Sequence, residues 1–159
     1  MCKLCWTSVV VLLLAVVGMG YKFILSGEVV ATADGREAIV LEPAERDMVL
    51  AEMRQFLVGI QGITEGIVND DMASVVAAAR PLGTATQQGM PGSLVRKLPL
   101  GFKQLGFDTH VKFEQLALDA EQLGDGEYAL GQLAELMQNC TECHEMYRFE
   151  TAASLQEAQ

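Results

Sequence analysis

The residues in this 159-residue chain best suited to chemistry are its four cysteines and two histidines. Three of those six stand together as Cys140-Thr141-Glu142-Cys143-His144. C-x-x-C-H is the attachment sequence of c-type haem. The spacing has a physical reason: two thiols three residues apart on a helix reach the two vinyl groups of one porphyrin, and the next residue projects an imidazole at the iron. His144 is then the proximal ligand through one ring nitrogen, with the other nitrogen donating to a carbonyl or water that fixes the ring. Two other chemistries use C-x-x-C. A thioredoxin-type pair needs a βαβ context, which the sequence lacks, and a zinc site needs further ligands, for which the only other histidine is His110.

The elements that must position this motif read as helices. From Pro43, which suits a first helical position, Val49, Met53, Phe56, Ile60, Ile63 and Ile67 recur at steps of three and four. Asn69-Asp70-Asp71 ends that helix and caps a second, with Met72, Val75, Val76 and Ala79 on its apolar face. Residues 83–100 hold prolines and glycines and read as a crossover loop. A short turn at Phe102 to Leu105 precedes a third helix from Asp108 or Thr109, with His110, Phe113, Ala117 and Ala120 on one face. After Gly124-Asp125-Gly126, a fourth helix over 127–148 carries Leu130, Leu133, Met137, Cys140, His144 and Tyr147 in one stripe. No strand pattern is visible after residue 43. The fold class that follows is all-α, an antiparallel four-helix bundle.

Ahead of the bundle, residues 4–21 are 18 uncharged residues, about 27 Å of helix against a hydrocarbon core of ~30 Å. Residues 1–25 therefore read as a signal anchor or a cleaved signal peptide, with small-x-small sites at Ala31-Thr32-Ala33 and Gly18-Met19-Gly20. Residues 26–42 read as a tether with local extended pairing around Asp34-Gly35, 43–150 as the bundle, and 151–159 as a flexible tail. Cys2 and Cys5 precede the apolar run and read as reduced thiols, with palmitoylation as the alternative.

The whole chain carries a net charge of −10. Residues 1–25 hold Lys3 and Lys22 and no acid, so the remainder is left at −12. That charge excludes nucleic acid as a partner and favours a redox partner protein with a basic docking surface, met in a salt-dependent way.

With a helical bundle and the motif extended as Cys140-Thr141-Glu142-Cys143-His144-Glu145-Met146-Tyr147-Arg148 near the carboxyl end, residues 43–150 resemble the cytochrome c-prime superfamily. The resemblance implies one covalent haem c, a place on the periplasmic side of a bacterial cytoplasmic membrane, and a homodimer as an option. It also implies one of two iron sites. A six-coordinate form takes a methionine from the first helix and transfers single electrons; a five-coordinate form binds a gas such as NO or CO. A haem sensor or enzyme subunit is the third alternative. No catalytic constellation is visible, and an electron carrier rather than an enzyme is expected.

Met53, on the first-helix stripe, is the candidate distal ligand, against the plain reading of a core filler. Met48 is off the stripe. His110 is the weaker candidate, as a distal ligand, a haem-edge contact or a satisfied core histidine. Arg54, Lys97 and Arg148 are the cations available to propionates, or else solvated charges.

Overall fold

The computed structural model describes residues 3–157. They are mostly helical, with the apolar amino-terminal helix α1 over Lys3–Gly20 and a π-helical turn over Tyr21–Ser26. The stretch Cys5–Ser26 is long and apolar enough to cross a membrane, and none of its residues is fully buried by the rest of the chain. Cys5 is an exposed free thiol; Cys2 lies outside the described residues.

The local extended pairing expected in the tether is present as a β-hairpin. Strand β1 (Val29–Ala31) pairs antiparallel with β2 (Glu37–Val40), Val29 opposite Ile39 and Ala31 opposite Glu37. Asp34 organises the turn: Thr32 Oγ1 donates to it, and the Arg36 guanidinium donates to its other oxygen at 2.7 Å. Gly35 takes φ 85°, the left-handed region that a residue with a Cβ resists.

Helix α2 (Pro43–Val68) opens on a capping box in which the Glu42 N–H donates to the Glu45 carboxylate at 3.1 Å. It ends at Asn69. Asp71 then caps α3 (Met72–Ala79) by accepting from the Ser74 N–H at 3.1 Å. The two helices pack closely because glycine faces the contact: a Cβ on Gly66 would lie 2.9 Å from the Val75 backbone nitrogen.

Residues 83–100, expected as a loop, are more ordered than their prolines and glycines predict. After a 3-10 turn at Arg80–Leu82 come another at Thr84–Gly89 and a short helix, α4 (Gly92–Lys97), which buries Leu94. Helix α5 spans Leu100–Leu123, starting eight residues before the expected Asp108, because Pro99 fits the position just ahead of a first helical turn. Gly124 closes it in the left-handed conformation, and Asp125 caps α6 (Gly126–Met146) by accepting from the Glu127 and Tyr128 N–H groups, each at 3.0 Å.

Here the all-α expectation fails locally. The fourth helix stops at Met146 rather than Arg148, and Tyr147–Glu150 form β3, parallel to β2 with Glu37 opposite Tyr147. The residues expected as a flexible tail begin with helix α7, Ala152–Glu157. Sequence periodicity misses β3 because four residues have no partner until the hairpin supplies one.

Two apolar clusters divide the interior. The larger, among α2, α3, α5 and α6, centres on Phe113, Ile63, Leu116 and Leu136. The second joins the sheet to α4 and the start of α5 through Ile39, Leu41, Leu94, Leu98 and Phe102. Met53 packs against both; Cys140 borders the first and Cys143 the second. The motif therefore lies where the two cores meet.

Candidate functional site

A cavity of about 470 Å³ opens between α2, α5 and α6, within the roughly 300–1,000 Å³ span of small-molecule and cofactor sites. Cys140, Cys143 and His144 line its α6 wall, and Met53 with Phe56, Leu57 and Ile60 its α2 wall. Phe102, Leu105 and Gly106 line the α5 wall. Gly106 marks room in it, since a Cβ there would meet nothing within 4 Å. The walls are mostly apolar carbon, with polar atoms supplied by Arg54, Thr109, Asn139 and His144.

The single stripe expected on α6 divides in two. Ala129, Leu133, Leu136 and Asn139 are buried in the interior, while Met137 and His144 line the cavity and remain exposed, with Cys140 on the boundary. One helix presents a core face and a site face about one residue apart around its circumference.

Burial raises both motif thiols above their ordinary range, Cys143 to about 11 with help from the Cys140 and Glu142 charges. A thiol–disulfide enzyme requires the reverse, a cysteine lowered toward neutrality. Among the described residues no group of three or more His, Cys, Asp or Glu side chains is placed to hold a bare metal ion. A haem iron does not need such a group, because the porphyrin supplies its in-plane donors. Two thiols and an imidazole on one wall, a thioether on the facing helix and an apolar cradle with space at Gly106 fit a covalently held haem.

His110 does not reach the cavity. It is 2% exposed, and its Nδ1 lies 2.7 Å from the Leu82 carbonyl and 3.1 Å from Thr86 Oγ1, with Nε2 3.4 Å from Glu52. The Phe56 ring meets it edge-on at 5.1 Å between centroids and belongs to the cavity wall itself. Burial works against a charge on His110, but the Glu52 carboxylate and the Leu82 carbonyl outweigh it and raise its pKa above the ordinary value. Of its expected roles, the satisfied core histidine matches this setting.

The three cations separate in the same way. Lys97 pairs with Glu45 at 2.7 Å, and Arg148 pairs with Asp34 and Glu150. Only Arg54 lines the cavity.

Sequence reasoning missed the polar clamp beside the motif. Asn139, 6% exposed and next to Cys140, donates to Asp108 at 2.8 Å and to Thr109 Oγ1 at 3.2 Å, and accepts from Lys112 at 2.9 Å. Asp108 and Lys112 also pair with each other across one helical turn. The clamp fixes α6 against α5 at the turn where the motif begins. Its only sequence signal is the Asp108/Lys112 spacing; that Asn139 joins them depends on how the two helices dock.

No family model, curated protein or solved structure matches the chain.

Proposed function

We propose that the chain is a membrane-anchored c-type monohaem cytochrome that passes single electrons on the outer side of the cytoplasmic membrane. In this reading α2, α3, α5 and α6 are the antiparallel bundle of a cytochrome c-prime-like domain. The observation that carries it is the convergence of Cys140, Cys143, His144 and Met53 on one apolar cavity.

Each residue has a defined part. Cys140 and Cys143 would hold the group through thioethers formed by adding each thiol across a vinyl group, so the group would not leave without breaking covalent bonds. His144 would supply the imidazole that binds the iron, and Met53 on the facing helix would offer a thioether as the second protein ligand. Bound haem supplies a one-electron couple whose potential methionine–histidine ligation raises. Phe56, Ile60, Phe102 and Leu105 keep water from the site, and a drier site shifts the potential further. Arg54 offers a cation at the rim for a propionate. The acidic surface steers the domain toward a basic partner.

Expression in a host that attaches haem c tests the reading. The holoprotein is expected to keep its haem in denaturant and to show one reversible one-electron wave by voltammetry. Cys140→Ala with Cys143→Ala is expected to release haem on denaturation. Wild-type protein that carries no haem, or loses it in denaturant, refutes the proposal.

A further inference from the structure

We propose that residues 21–28 are a fixed elbow, not a flexible tether, and that they hold the cavity end of the domain against the membrane that α1 spans. The proposal rests on α1 as a retained anchor and is independent of haem.

Three contacts build the elbow. Gly27 is buried at φ +63°, and a Cβ on it would lie 2.4 Å from the Lys97 carbonyl oxygen and 2.6 Å from the Pro99 nitrogen. Both neighbours are backbone atoms, which do not swing aside as a flexible side chain does. The next residue, Glu28, donates its N–H to that Lys97 carbonyl at 2.7 Å and accepts from the Val40 N–H at 2.9 Å. At the end of the apolar segment, Lys103 Nζ on α5 lies 3.4 Å from the Phe23 carbonyl and 3.3 Å from the Ile24 carbonyl. Terminal helix carbonyls lack intrahelical donors and favour a cation, so Lys103 caps the membrane helix from within the domain. Burial pushes the Lys103 ammonium downward, in keeping with a side chain turned into a contact rather than into water.

Two routes then run from the elbow to the motif. Along α5, Lys103 shares a single helical turn with Phe102, Leu105 and Gly106, which line the cavity, so cap and wall lie about one 5.4 Å pitch apart. Through the sheet, β1 follows the elbow directly, β1 pairs β2, and β2 pairs β3, which follows His144 by three residues. Cleavage at Ala31-Thr32-Ala33 would remove β1 and Gly27 from a formed structure. Cleavage after Gly18-Met19-Gly20 would instead remove α1 alone and leave every elbow contact in place.

The test is hydrogen exchange by mass spectrometry on the full chain in phosphatidylglycerol/phosphatidylcholine vesicles, after the mass of the intact chain has been recorded. Wild type is expected to protect the amides of 27–31 to a degree comparable with β2. Lys103→Met is expected to speed their exchange roughly tenfold, the effect of losing about 1.4 kcal/mol of hydrogen bonding, and Gly27→Ala more, with α2 and α6 unchanged. If Gly27→Ala does not fold, Lys103→Met alone carries the comparison. Exchange of 27–31 at unstructured-chain rates in wild type, or no change in Lys103→Met, overturns the elbow while leaving a membrane-anchored cytochrome intact. A mature chain that begins beyond residue 20 overturns the anchor and with it the placement against the membrane, and one that begins beyond residue 26 overturns the elbow as well, without bearing on the haem.

Discussion

Replacing Met53 separates the two parts a methionine can play here, ligand and filler. The side chain is half-buried and packs against both apolar clusters. Full burial makes a Met→Ala change cost 2–5 kcal/mol, so for this partly exposed position about 1–2 kcal/mol is expected. Met53→Leu conserves volume and apolar surface and should cost about 0.5 kcal/mol. As a filler, leucine substitutes well and alanine poorly. As a ligand, both fail equally, because neither carries a thioether. The assay is paired: denaturant unfolding for stability, and the visible and near-infrared spectrum of the oxidised holoprotein for ligation. The expected outcome is a low-spin wild type, with both variants high-spin to the same extent although their stability losses differ two- to fourfold. Both should also show a lower reduction potential. A low-spin spectrum that survives in both variants refutes Met53 ligation. A wild type that is already high-spin refutes any sixth ligand and turns the reading toward gas binding.

Three further outcomes follow from the site. Asn139→Ala removes three hydrogen bonds, two of them to charged partners, but Asp108 and Lys112 keep each other and Thr109 keeps the Leu105 carbonyl, so a loss of about 2 kcal/mol is expected in urea unfolding; a change below about 0.5 kcal/mol would rule the clamp out. His110 has a raised folded pKa, so its contribution to stability is complete below about pH 6.5 and fades as pH rises through the higher folded value; Glu52→Gln should weaken that slope above the unfolded value, and an identical profile in the variant contradicts the pairing. At Gly106, alanine should stabilise the apoprotein by about 0.5–1 kcal/mol through helix propensity, whereas Gly106→Phe should fill the cavity and abolish haem incorporation while the fold, read by circular dichroism, remains; full haem loading of the phenylalanine variant would place the cofactor elsewhere.

Much of the helical scaffold is legible from spacing alone. Helices α2 and α3 begin where Pro43 and Asp71 place them, and α6 begins one residue before the Glu127 that the Gly124-Asp125-Gly126 break indicates, because caps, breaks and apolar periodicity are local signals within one or two turns. The local pairing around Asp34-Gly35 is legible from its turn residues and takes form as the β1/β2 hairpin, but β3 and α7 are not legible in the same way. Strand β3 exists only because β2, more than a hundred residues earlier in the chain, lies beside it. The start of α5 is also hidden: Leu98 reads as a loop apolar and Phe102 as part of a short turn until the second cluster buries both.

The sequence by itself determines a C-x-x-C-H motif near the carboxyl end, an acidic run of amphipathic helices and an apolar segment ahead of them, all set by residue type and short-range spacing. Tertiary structure decides which residues meet that motif. It brings Met53 into the cavity and turns His110 away to Leu82, Thr86 and Glu52, though both lie on apolar helix faces in the sequence. The physical reason is that helical periodicity fixes the direction a side chain takes around its own axis, whereas its neighbour depends on how two helices dock. Here that docking is set by glycine contacts between α2 and α3 and by the Asn139 clamp between α5 and α6.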